Sequence, residues 1–242
     1  MCYRYVLQRE ALEALAARLA APGAVGWQSR YNLAPGASVP VVRSRAGPGG
    51  SSFEVVNLRW GLLPAWTKEA ATAMAPANAR AEGLASQPLF RDAFRLRRCV
   101  VPASGFYEWR GQGGRRQPYL CRLRDGAPLC FAGLWESWRG PEAGPAVETC
   151  AIITVPPNEL IRPIHDRMPA ILAPEEVEQW LDFRLTESRD LAPLLHPFAG
   201  EAMTALPVTT RVNNTRFDDS ACLEPAPAAS AGGEPGQLSL GF

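Results

Sequence analysis

Leucine and alanine recur at helical spacing across residues 9–19 (REALEALAARL), which predicts one amphipathic helix with a polar outer face. Elsewhere the pattern changes to short apolar runs separated by Gly/Pro turns, at residues 3–7, 39–43, 53–60, 99–101, 106–109, 119–123, 129–134 and 149–155. These read as strands. Further helices are predicted over residues 84–97, 175–183 and 187–195, the second following a proline near its start. Strands and helices are interspersed without a strict strand-helix-strand rhythm. The expected fold is therefore α+β, with curved antiparallel sheets forming an open barrel-like core and helices at its periphery.

Composition supports this picture and bounds the partners. The 242 residues include 21 glycines and 23 prolines, a turn-rich content that suits many short strands better than a helical bundle. Lys and Arg total 25 against 24 Asp and Glu, so contact with a polyanion must come from local placement of charge rather than from the global field. Nearly all the cations are arginine, and Lys68 is the one lysine, hence the one side-chain amine available for covalent chemistry.

Six cysteines show no C-x-x-C pair and no histidines at zinc-finger spacing, so neither a metal site nor a cofactor is expected. No apolar run approaches the roughly 20 residues that span a bilayer, and the N-terminus lacks a signal pattern. The expectation is a monomer in the reducing cytoplasm. From Pro225 the composition shifts to PAPAASAGGEPGQ, which buries too little apolar surface to fold. The predicted organisation is a catalytic domain over residues 1–224 and a disordered tail over 225–242, whose last six residues, QLSLGF, restore hydrophobicity.

Four stretches carry candidate chemistry. Cys2 becomes N-terminal once Met1 is removed, which places an α-amine and a thiol on adjacent carbons, with reference pKa values of about 7.7–8.0 and about 8.5. An amine adds to an aldehyde to give an imine, on which the thiol can close to a thiazolidine; the bland alternative is a small buried hydrophobe. In Gly105-Phe106-Tyr107-Glu108-Trp109, strand alternation puts Phe106 and Glu108 on one face and Tyr107 and Trp109 on the other. A carboxyl against apolar surface has a raised pKa suited to proton shuttling, although a rim ion pair is the simpler reading. His165 lies between Pro163 and Pro169, which stiffen its loop as a general acid/base requires, while His196 reads as the cation at a helix end. Asn78 offers an amide that both donates and accepts. Trp60, Trp66 and Trp109 with Arg4, Arg80 and Arg167 could stack and neutralise single-stranded nucleic acid, whereas Arg91, Arg95, Arg97 and Arg98 read as a solvated basic stripe.

Taken in order, MCYRY, YNLAPG, LRWGLLPAW, NARAE, FRDAFRLRRCVVPASGFYEW, FAGLWE, IHDRMP and TRVNN resemble the SRAP family, the SOS response-associated peptidases or abasic-site processing proteins. The resemblance spans nearly all of the chain before the tail. It implies a protein that senses abasic sites in single-stranded DNA and, through its mature N-terminal cysteine, joins the ring-opened aldehyde as a stable thiazolidine that shields the lesion. By matching positions it implies Cys2 as nucleophile, Asn78 as positioning residue, Glu108 as proton shuttle and His165 as second acid/base group, with Arg4, Trp66, Arg80, Trp109 and Arg167 on DNA. The family's names also carry peptidase, hydrolase and lyase chemistry. Tyr3 stands where the family usually has glycine, which bears on substrate geometry. Two other readings remain open: a cysteine peptidase using Cys2, His165 and Glu108, and a non-covalent single-strand binder. The terminal hexapeptide resembles the Q-L-x-L-x-F motif by which bacterial repair proteins bind the replicative sliding clamp, with Gln237, Leu238, Leu240 and Phe242 as its anchors.

Overall fold

In the computed structural model, which describes residues 2–23, 26–47, 50–68, 75–111, 116–140 and 145–227, the apolar runs pair into two sheets. The strands are β1 (Tyr5–Leu7), β2 (Arg30–Leu33), β3 (Ser38–Gly47), β4 (Gly50–Trp60), β5 (Asn78–Arg80), β6 (Arg98–Ala103), β7 (Gly105–Arg110), β8 (Gln117–Leu123), β9 (Leu129–Trp138), β10 (Val147–Val155), β11 (Met168–Pro169) and β12 (Met203–Pro207). The helices are α1 (Arg9–Arg18), α2 (Arg91–Leu96), α3 (Glu176–Leu181) and α4 (Ser188–Leu191).

The long β3–β4 hairpin runs in register from Ser38↔Arg59 to Gly47↔Gly50. β4 then meets β10 in parallel, β10 meets β9, β9 meets β6 and β6 returns to β3. That cycle closes a five-stranded barrel, so the expected open barrel-like core is a complete ring, with β5 and β11 added alongside β10. Where β6, β9 and β10 crowd together the chain uses Gly133, since a Cβ there would stand 3.0 Å from the Cys99 sulfur and 3.2 Å from the Ala151 carbonyl oxygen.

The second sheet has the order β12-β8-β7-β1-β2 and lies against the barrel. Tyr5 of β1 meets Trp60 edge-on at 5.3 Å and Phe131 at 6.1 Å, and Phe106 of β7 meets Phe131 at 6.0 Å. Each such pair adds about 0.5–1.5 kcal/mol beyond simple burial. The outer edge of β2 is sealed by one carboxylate, because Asp218 Oδ1 accepts the N–H groups of Tyr31 and Asn32 at 2.6 and 2.7 Å.

α1 forms where its periodicity predicts, burying Ala11, Leu12, Leu15 and Ala16. It stops at Ala20, a non-glycine residue at φ 47°, with Ala21 N–H on Ala16 O and Ala20 N–H on Ala17 O. The helix expected over residues 84–97 is shorter. Only Arg91–Leu96 is α-helical and Ala81–Gly83 is a 3-10 turn, because Pro88 lacks an N–H and restricts the residue before it. Pro193 likewise cuts the helix expected over 187–195 after Leu191, leaving a 3-10 turn at Ala192–Leu194.

The basic stripe is corrected in part. Arg91 and Arg95 are exposed, but Arg97 pairs with Glu136 at 2.7 Å and Arg98 is buried against backbone carbonyls, since the chain turns into β6 directly after α2. His196 sits just past the Ala192–Leu194 turn, 3.2 Å from Glu176, and its pKa is raised by the Pro197 carbonyl. The packed chain runs to Ala226, whose N–H meets Pro207 O at 3.0 Å. Gln237, Leu238, Leu240 and Phe242 lie outside the described residues. Among the described residues no helix is long and apolar enough to cross a membrane.

Candidate functional site

β7 splits its side chains as alternation dictates: Phe106 joins the barrel-side core while Tyr107 and Trp109 join a smaller cluster with Val6, Leu120 and Val212. Glu108 therefore follows Phe106 inward and is 2% exposed. Burial pushes its carboxyl up from 4.5 to about 7, and the charge of Asp166 adds to the rise. The terminal amine and the Trp109 N–H act in the opposite direction.

His165 reaches Glu108 from the loop between β10 and β11. Asn158 shapes that loop: its Oδ1 accepts Ile161 N–H at 2.9 Å and its Nδ2 donates to Phe198 O at 2.7 Å. His165 N–H then bonds Ile161 O at 2.9 Å, and Arg167 N–H donates to the imidazole Nδ1 at 3.0 Å. The ring presents Nε2 to Glu108 Oε2 at 3.8 Å and Nδ1 to Asp166 Oδ1 at 3.0 Å. Burial lowers the His165 pKa, helped by the terminal amine and by Arg116, the residue before β8.

Cys2 lies just ahead of β1, fully buried, its thiol 3.7 Å from Arg4 O. Burial raises the thiol pKa strongly and the nearby charge of Glu108 raises it further. Tyr3 beside it is 42% exposed, so it does not fill the core. Asn78 is on β5, paired with Ile152 of β10. It is 8% exposed, and among the described residues neither its Oδ1 nor its Nδ2 has a hydrogen-bond partner. A buried amide left unsatisfied costs about 1–3 kcal/mol, and such a group is suited to a ligand that supplies the missing partners. Arg80, two residues on and on the same face of β5, is exposed.

The other expected contact residues divide. Trp66 is 69% exposed on the loop after β4. Trp109 is half-buried, with its indole N–H held by Asn213 Oδ1 at 2.6 Å. Arg4 and Arg167 are engaged inside the protein. Arg4 donates to Asn32 Oδ1 and Val212 O at 3.0 and 2.8 Å, and Arg167 binds both oxygens of Glu82 at 2.6 and 2.9 Å and Thr154 O at 2.5 Å. Each thereby fastens a strand next to the site.

Sequence reasoning missed three residues. Arg116 and Asp166 face His165, and Asn32 donates to the carbonyls of Val212, Asn214 and Phe217, which ties the C-terminal segment to the strand pair β1–β2. Asp166 adjoins the histidine in IHDRMP, a signal that was present; nothing local marks Asn32 or Arg116. Among the described residues no cluster of three or more His, Cys, Asp or Glu could hold a metal ion.

Residues 1–215 match the family described as SOS response associated peptidase (SRAP). The abasic site processing protein YoqW of Bacillus subtilis is 37% identical over 195 residues, 80% of this chain and 85% of that protein. The abasic site processing protein HMCES of Gallus gallus is 34% identical over 226 residues, covering 82% and 67%. A crystal structure of a protein from Bacteroides thetaiotaomicron superposes with a TM-score of 0.82 at 29% identity, covering 93% of this chain and all of the other.

Proposed function

The chain belongs to the SRAP family, and from that premise we propose that it processes abasic sites in single-stranded DNA, joining them covalently through Cys2 after Met1 is removed. The observation that carries this reading is a carboxyl raised to about 7 by burial, electrostatically coupled to the buried Cys2 thiol and 3.8 Å from an imidazole whose pKa burial lowers.

Chemistry follows from the groups present. Glu108, part acid and part carboxylate at neutral pH, assists opening of the sugar hemiacetal and takes the proton released as the Cys2 α-amine adds to C1′. His165 Nε2–H protonates the departing hydroxyl, water leaves, and an imine remains. The Cys2 thiol adds to the imine carbon while its proton passes to nitrogen, which closes the thiazolidine with one water released overall. The amine leads because burial holds the thiol protonated. The peptidase reading needs the reverse, a thiol with its pKa lowered to give the attacking thiolate.

Around this centre, Asn78 orients the sugar, Arg80, Trp66 and Trp109 engage the strand, and Arg4 and Arg167 fix the walls. The Q-L-x-L-x-F tail (Gln237, Leu238, Leu240, Phe242) recruits the replicative sliding clamp, which brings the protein to exposed template. The test is a denaturing gel of protein incubated with a single-stranded oligonucleotide bearing one abasic site, with intact mass recorded in parallel. A heat-stable adduct without borohydride, formed only by protein lacking Met1 and lost in Cys2→Ala, is expected. An equal adduct from Cys2→Ala sinks the thiazolidine. Binding that merely weakens with salt and leaves no adduct returns the non-covalent reading. Deleting residues 237–242 is expected to abolish clamp pull-down and leave the adduct intact.

A further inference from the structure

Glu108 is cut off from bulk water, yet a shuttle must regain or release a proton at each turnover. Side-chain exposure rises stepwise outward from it, 2% at Glu108, 26% at His165 and 82% at Asp166. The two ring nitrogens of His165 face the two carboxyls, Nε2 at 3.8 Å from Glu108 and Nδ1 at 3.0 Å from Asp166. The longer gap closes with a small ring movement, as catalytic contacts commonly do when substrate binds. Nδ1 also has the Arg167 N–H at 3.0 Å. It therefore has an acceptor at hand when protonated and a donor when bare, so both neutral tautomers of the ring are served.

We propose that Asp166, His165 and Glu108 form a proton relay between solvent and the buried carboxyl, with Asp166 a positioning residue that holds the Nδ1–H tautomer. The relay rests on the shuttle role given to Glu108 above. Outbound, the Glu108 carboxyl passes its proton to Nε2 while Nδ1 releases one to Asp166 and on to water. The ring finishes neutral with its proton on Nε2, and Nδ1 accepts the Arg167 N–H. Inbound, water or Asp166 supplies Nδ1 and the Nε2 proton returns to Glu108, so one proton enters as one leaves. The charged groups acting on the imidazole are Glu108 from β7, Arg116 just before β8, Asp166 from its own loop and the terminal amine. Burial and the charge of Arg116 favour the neutral ring, the state the relay needs.

The chain has two histidines, so histidine-specific 15N labelling of the full-length protein gives two ring systems, and His196→Gln assigns them. At pH 8 both neutral tautomers of His165 are expected in the parent, and the Nε2–H form alone in Asp166→Ala. The exposed position of Asp166 lets that variant fold. Its adduct formation is expected to slow about tenfold at unchanged half-saturating DNA concentration, with the rate restored by imidazole buffer and by Asp166→Glu. Identical 15N shifts in parent and Asp166→Ala overturn the relay, as does an unchanged rate or one that imidazole leaves unrescued. Should the parent form no adduct, the proposed function fails, and the 15N spectra decide the Asp166 contact on their own.

Discussion

Arg98 and Glu108 stand in different corners of the molecule, are 5% and 2% exposed, and experience burial in opposite ways. Arg98 donates to the carbonyls of Phe94 and Arg95 at the end of α2 and of Trp180 and Asp182 at the end of α3, with its guanidinium 5.6 Å from the Trp180 ring. It caps two helices at once. Burial draws its pKa down to about 10, which still leaves it charged at neutral pH. Burial instead raises the Glu108 carboxyl from 4.5 to about 7, where it changes charge readily. A buried charge whose directional partners are all supplied serves the fold, and one left close to its titration point serves chemistry.

The comparison is broken most forcefully at Arg98. Replacing it by leucine strands four carbonyls and is expected to cost about 3–5 kcal/mol in denaturant unfolding, while the folded fraction keeps its adduct-forming rate. A cost under about 1 kcal/mol would mean the caps are dispensable.

Glu108→Gln should act the other way. The folded carboxyl is raised from 4.5 to about 7, so its neutral form contributes fully below pH 4.5, and stability is lost as pH rises through 7. Glutamine escapes that loss. It is expected to be up to about 3 kcal/mol more stable than the parent at pH 8 and equal to it at pH 4.5, while adduct formation falls about 100-fold and loses its inflection near pH 7. Unfolding curves of the two proteins that run parallel at all pH values would remove the poised carboxyl from the account.

The smallest effect separates two buried amides. Among the described residues Asn32 has its donors and its acceptor in use and Asn78 has neither, so Asn32→Leu is expected to destabilise by about 2–3 kcal/mol. Asn78→Leu is expected to be neutral or to stabilise by about 1 kcal/mol, and to weaken DNA engagement. Equal losses of melting temperature would show that Asn78 is structural.

One side of this contrast was legible in the sequence. Alternation alone set Glu108 beside Phe106, and two prolines marked the His165 loop as rigid. What stayed hidden depends on contacts between distant segments. Barrel closure rests on a brief parallel meeting of β4 with β10, and β2, β5, β11 and β12 are too short to carry a periodic signal. Arg98 read as surface because its stripe is basic, whereas two of its four carbonyl partners lie 82 and 84 positions away. Asn78 was identifiable as an amide, but its orphaned state belongs to the packing of β5 on β10.

Cys2 lies three residues before the start of β1, and β1 is hydrogen-bonded on one flank to β2 and on the other to β7. In the proposed adduct, a DNA strand joined at Cys2 would pull on the end of an interior strand. Tension directed along β1 loads the bonds on both flanks together, in shear, and drags the Tyr5 ring against Trp60 and Phe131 before anything yields. The proposed covalent anchorage would then be mechanical too: a motor moving along the DNA would have to tear a strand from the middle of a sheet to dislodge the protein.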